Sequence, residues 1–337
     1  MARPARYAGS APLTDDRAAV QRLLCRIATV GAALMLVVII ASAYLRLTQA
    51  GLSCTEWPEC YGRVATPSEP AFELRLARLA HRIAASAVGV AVMALLLIAA
   101  VQRPLLKTQA MIAAAALLIA ALLAGVGAGF SAAGGAAPLP AVTLLNLGGG
   151  FALLAVLWWL RLTALPWSSP IGSGAWLQWL AALALMAAIV QIFVGALVSA
   201  KFAALSCPSF PGCGAPWSEG ALLSSLDPTQ PLVLGADGAI ERSPALAVLP
   251  SMHRIGALAV GLLAALLAVH LWRAGGVARR HAAALAALLV GQAALGATAT
   301  VLDLPLPVVL AHNTIAALLL CALLSSNWLA HARKALP

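Results

Sequence analysis

Eight long apolar runs dominate this sequence, and they leave it few ways to fold. They lie at about 27–46, 82–101, 110–130, 140–160, 176–200, 252–272, 282–301 and 308–329. Each is close to the ~20 residues that carry an α-helix across a hydrocarbon core. None alternates with the period of two that a membrane β-strand requires. With 62% of residues hydrophobic and 9% charged, the chain has too little polar surface to cover these runs in water. A soluble surface carries about a quarter or more charged residues. The expected fold is an all-α integral membrane protein with eight transmembrane helices. The first run is read as a span and not a cleavable leader, because it lacks a small-residue cleavage site and leads into a polar, cysteine-bearing loop.

The net charge of +10 would suit a nucleic-acid binder, but its distribution points elsewhere. With the N-terminus placed in the cytoplasm, 13 of the 21 Lys and Arg residues fall inside and nine of the 11 acids fall outside. This is the positive-inside asymmetry of a multi-pass protein. It predicts both termini in the cytoplasm, residence in the cell inner membrane with the lipid bilayer as surroundings, and no nucleic-acid partner. Residues 1–26 read as a basic cytoplasmic tail.

The spans fall into two related sets of four. Leu52-Ser53-Cys54 through Trp57-Pro58-Glu59-Cys60 follows the first span, and Leu205-Ser206-Cys207 through Phe210-Pro211-Gly212-Cys213 follows the fifth. His81-Arg82-Ile83 opens the second span and His253-Arg254-Ile255 the sixth. Pro138-Leu139-Pro140 leads into the fourth span and Pro305-Leu306-Pro307 into the eighth. Four spans return the chain to its starting side, so these are parallel repeats about the membrane normal. Two pseudo-twofold-related four-helix bundles are expected, at 27–163 and 164–337. The glycines 148–150 suit close packing against a neighbouring helix or a porphyrin face.

Three of the six histidines are expected at one depth. His81, His253 and His312 begin spans that all start outside, whereas His270, His281 and His331 belong to cytoplasmic ends. Bundle cores hold cofactors with side chains from facing helices, and two neutral imidazoles can fill both axial positions of a haem iron. His253 and His312 are the candidate pair; interhelical hydrogen bonding is the plainer alternative. Zinc would need further ligands. Arg82 and Arg254 are candidates for haem carboxylates, against an alternative of snorkelling at the interface. Repeat alignment sets Leu145 opposite His312, so His81 lacks a histidine partner and an iron held there would keep an open position.

The cysteines flanking the external turns, Cys54–Cys60 and Cys207–Cys213, are expected to form two disulfides in an oxidising compartment. Thiols kept for redox exchange are the alternative. Cys25 and Cys321 are expected to stay reduced.

Taken together these residues resemble the haem A synthase family, membrane enzymes that convert haem O to haem A. The resemblance extends from Arg46 to Asn313. It is most specific in the segment RLTQAGLSCTEWPECYG, Arg46 to Gly62, and in the paired His-Arg helix starts. It implies haem b between His253 and His312, haem O as substrate in the N-terminal half, and His81 as iron ligand and catalytic residue there. It also implies terminal-oxidase assembly proteins or a haem O synthase as partners. No flavin or nicotinamide fingerprint is present, so an unidentified electron-transfer partner is expected. The sequence departs from the family in having Leu145 for a second N-terminal histidine and Arg78 for a glutamate before the first. Those departures keep open a haem-binding assembly factor or chaperone without turnover. A transporter is the third reading.

Overall fold

The computed structural model describes residues 15–49, 72–102, 106–132, 139–165, 174–207, 209, 213–214, 217–233, 240 and 244–331. Among these the chain forms α1 (Asp15–Gln49), α2 (Phe72–Val101), α3 (Lys107–Ala132), α4 (Pro140–Thr163), α5 (Ala175–Ala200), α6 (Glu219–Leu226), α7 (Val248–Ala274), α8 (Gly276–Val301) and α9 (Leu306–His331). All but the short α6 are long and apolar enough to cross a membrane, which gives the eight spans expected. The protein is an all-helical, multi-pass membrane protein.

Two helices start earlier than their apolar runs. In α2 the positions Leu74, Ala77, His81, Ala84 and Val88 keep the three- and four-residue spacing of one helical face. That face continues below the apolar run, while Arg75, Arg78 and Arg82 stay exposed. In α1 the stripe Leu24, Ala28, Ala32 and Met35 is buried, so residues 15–26, expected as tail, are the first turns of the helix.

Each set of four helices closes on itself. α1 packs on α2, α2 on α3, α3 on α4 and α4 on α1; in the second set α5 packs on α7, α7 on α8, α8 on α9 and α9 on α5. The sets meet through α1 with α9, α4 with α5, and α4 with α9. α9 is therefore buried on two sides. Ala317 and Leu320 join the core around Leu154, Leu157 and Leu160, while Leu319 and Leu323 join that around Leu180, Leu267 and Leu285. Its far end is anchored by polar groups, with Trp158 Nε1 donating to Ser325 Oγ at 2.9 Å and Asn327 Nδ2 to the Ala181 carbonyl at 2.7 Å. Within the glycine run, a Cβ on Gly149 would come within 2.6 Å of Leu123 on α3. Close packing against a neighbouring helix is the reason a side chain is missing there.

The opposite end carries a cap. α5 ends with Phe202 in the left-handed region (φ 54°) and the Ala203 N–H on the Val198 carbonyl; α8 ends the same way with Asp303 (φ 52°) and the Leu304 N–H on the Ala299 carbonyl. These are Schellman turns, here without the usual glycine. The next residue back from Phe202 is Lys201, 4% exposed, whose ammonium donates to the Ser224 carbonyl at 2.6 Å. That carbonyl lies in the last turn of α6, where the helix dipole favours a cation. Burial pulls the Lys201 pKa below its ordinary value, an effect the nearby Asp227 carboxylate opposes. Asp227 in turn accepts from the Thr229 N–H at 2.9 Å and hydroxyl at 2.7 Å, closing a turn over Asp227-Pro228-Thr229. The Pro228 carbonyl then accepts the Ala141 N–H at 2.9 Å, one of the first-turn donors that α4 cannot satisfy itself.

Lys201 is thus the pin of the cap. Lys201→Ala removes a charge-assisted hydrogen bond at a buried site, at a cost of about 1.5–3 kcal/mol. Limited proteolysis of detergent-purified protein should show faster cleavage within residues 217–247, with the membrane helices still protected.

Candidate functional site

α7 and α9 stand at opposite corners of the second ring, and each turns a histidine to its interior. His253 continues the buried stripe of Leu249, Val260 and Ala264, and His312 that of Leu319 and Leu323. Their ring centroids are 6.3 Å apart with the planes at 66°. The other two helices of the ring complete the site. Gln191 on α5 places Nε2 3.0 Å from His253 Nδ1 and donates to the His253 carbonyl at 2.7 Å. Gln292 on α8 places Nε2 3.1 Å from His312 Nε2.

Glycines make room for these rings. A Cβ on Gly195 would lie 2.8 Å from His253 Cε1, and one on Gly296 would lie 3.1 Å from His312 Cε1. A Cβ on Gly256 would overlap Gln191 Oε1. Sequence reasoning found both histidines and missed both glutamines and their glycines. The signal was there: Gln191-x-x-x-Gly195 and Gln292-x-x-x-Gly296 stand in the same register on α5 and α8.

The arrangement fits a metal taken by both histidines. One nitrogen of each ring is engaged by a glutamine. Among the described residues the other nitrogen meets no hydrogen-bond partner, and at His312 that atom, Nδ1, is buried. Two imidazoles bonded to one metal at about 2 Å have centroids about 6 Å apart. Imidazole donors among apolar neighbours suit a haem iron.

Arg254, expected on a haem carboxylate, uses its guanidinium on the capping loop. Nη1 donates to the Ser209 carbonyl at 2.6 Å and Nη2 to that of Cys207 at 3.0 Å. The loop is closed by the expected Cys207–Cys213 disulfide, with Cα atoms 5.1 Å apart. Cys25 and Cys321 are free thiols, as expected. The Cys54–Cys60 pair lies outside the described residues.

The first ring differs. His81 is half-buried on the inner stripe of α2, and Arg82 beside it is exposed. Leu145 on α4 is 58% exposed. His270 and His331 each place Nδ1 against the carbonyl four residues back on their own helices, at 2.8 and 2.9 Å. No second histidine among the described residues joins His81.

The glycine contacts give predictions of opposite sign. Gly195→Ala forces the His253 ring to move and should destabilise by ~1–3 kcal/mol, Gly296→Ala by less. At Gly89 a Cβ would meet nothing within 4 Å, so Gly89→Ala should instead gain ~0.5–1 kcal/mol through helix propensity. Thermal unfolding in one detergent ranks the three.

Sequence relationships agree with this geometry. The family model COX15-CtaA, described as cytochrome oxidase assembly protein, matches residues 25–324. That range takes in His81, His253, His312, Gln191 and Gln292. A curated relative, the heme A synthase of Shewanella oneidensis, is 31% identical over 317 residues, covering 87% of this chain and 92% of that protein. The chain belongs to the COX15-CtaA family of cytochrome oxidase assembly proteins.

Proposed function

We propose that this protein is a membrane haem A synthase, oxidising a methyl group of haem O to a formyl group to give haem A for terminal oxidases. The observation that carries the reading is the His253–His312 pair, 6.3 Å apart inside a four-helix ring, in a chain 31% identical to a heme A synthase. His253 and His312 would hold haem b, which would supply one-electron transfer there. His253 and His312 orient it, and the apolar stripes around them exclude water.

In this reading residues 27–163 form the substrate half and 164–337 the cofactor half, related by a pseudo-twofold axis. The matching closed rings and the seam made from the first and last helices of each set support that division. His81 offers one imidazole to the iron of haem O, and the apolar Leu145 leaves the opposite face open for reaction. Arg82 is exposed ten residues into α2, suited to a substrate carboxylate. Arg254 acts on the cofactor side by fixing the disulfide loop above His253. Both termini face the cytoplasm of the cell inner membrane, as the Lys and Arg distribution supports. Partners are a haem O synthase or oxidase assembly proteins, and a separate protein that exchanges electrons.

One observation favours a second reading, a haem-carrying assembly factor without turnover. Leu145 and Arg78, the two departures from the family pattern, are both exposed and give the first ring no second histidine and no carboxylate at the motif position.

Two measurements test this. Purified protein should show a low-spin bis-imidazole haem spectrum that collapses in His253→Ala and in His312→Ala; an unchanged spectrum in both would remove the assignment. Co-expression with a haem O supply, followed by chromatography of extracted haems, should yield haem A and lose it in His81→Ala. Haem B and haem O alone, where a reference synthase makes haem A, would favour the assembly factor.

A further inference from the structure

α5 and α8 carry one device twice. Gln191, Gly195 and the left-handed Phe202 on the first match Gln292, Gly296 and the left-handed Asp303 on the second, position for position. The glutamine and glycine are one turn apart and so share a helix face. In each case that face meets the histidine of the next membrane helix, with the amide at a ring nitrogen and the glycine against Cε1. Two helices repeating this register against two different histidines is more than space-filling requires.

The amide chemistry adds a reason. An imidazole that ligates a metal through one nitrogen carries its proton on the other, and that N–H needs an acceptor. A glutamine amide has a donor and an acceptor at nearly matching ends, so half a turn of the amide serves either tautomer. Gln292 Oε1 is buried without a hydrogen bond, leaving an acceptor available beside His312. Gln191 is held more firmly, because its Nε2 also donates to the His253 carbonyl and Gly256 makes room for its Oε1.

We propose that Gln191 and Gln292 are positioning residues for the two imidazoles: Gln191, tied to the His253 carbonyl, fixes the rotation of that ring, and Gln292, as acceptor of the remote N–H of His312, sets how strongly that ligand donates to the metal. The inference rests on the haem reading above. An accepted N–H makes the imidazole more basic and stabilises an oxidised metal. A neutral amide does this less than a carboxylate would, so Gln292 holds the site at an intermediate donor strength.

The test is a redox titration of the purified, haem-loaded protein, with electron paramagnetic resonance of the ferric form. Gln292→Leu should lower the ferric-to-ferrous ratio at fixed ambient potential about ten-fold, the lower end of outer-shell effects. That is about 59 mV upward for a one-electron couple. Gln292→Glu should move the potential the other way and shift the resonance towards stronger donation, while Gln191→Leu, which releases the His253 ring, should broaden the resonance. Loosened packing would move Leu and Glu variants alike, so opposite signs identify the hydrogen bond. Should Gln292→Leu fail to accumulate, Gln292→Asn, too short to reach the ring, replaces it with the same upward shift expected. Unchanged potentials in the Gln292 variants, or shifts of one sign in both, would overturn the proposal while leaving the haem assignment intact. A wild-type protein without a bis-imidazole spectrum would overturn both.

Discussion

Lipid offers no hydrogen bonds, so a polar group inside this bundle needs a partner in the chain or in a group the chain binds. That demand does more to specify the packing than the apolar contacts do. Alanine and leucine faces fit one another in many registers, whereas a polar pair has one address. Arg46 with Ser199 joins α1 to α5, Trp158 with Ser325 joins α4 to α9, and Asn327 with the Ala181 carbonyl joins α9 to α5. Gln191 with His253 joins α5 to α7, and Gln292 with His312 joins α8 to α9. Each is worth only about 0.6 kcal/mol on average in a membrane, yet together they select which helices adjoin and at what rotation.

The same rule explains why two rings of one connectivity have different interiors. The second ring gathers two imidazoles and two amides, one from each of its four helices, and glycines let them approach. The first ring presents His81 on one helix and the apolar, exposed Leu145 on the helix across from it. A closed polar cluster suits a permanently held group.

Most of the architecture was legible in the sequence because a membrane helix announces itself by length and composition. All eight spans were found, and errors were confined to ends such as Phe72, where charged residues hide two amphipathic turns. His253 and the Cys207–Cys213 bridge were legible through repetition between the two sets, and His312 through its place at the start of a span that begins outside. Gln191 and Gln292 were not, because their repeat lies within one set, between its first and third membrane helices, and a comparison of first set with second passes over it. Arg254 was placed on the right helix, but the loop carbonyls it binds come from residues distant in sequence, and no periodicity encodes them. The short α6 was missed for a related reason: eight residues give too few turns for a pattern, and the helix is held by Lys201 and its Ser218 cap.

The cap also bears on the order in which the molecule is completed. A chain is made from its N-terminus, and domains tend to fold as they emerge. α4 emerges with its Ala141 N–H lacking the Pro228 carbonyl that will accept it. That carbonyl belongs to a turn that is not synthesised until α5 has been inserted, and the turn is set only once Lys201 has captured the end of α6. The rim of the first ring is therefore finished by the second, and a chain truncated after α4 would lack part of its own edge. At this edge the two sets of helices are completed together.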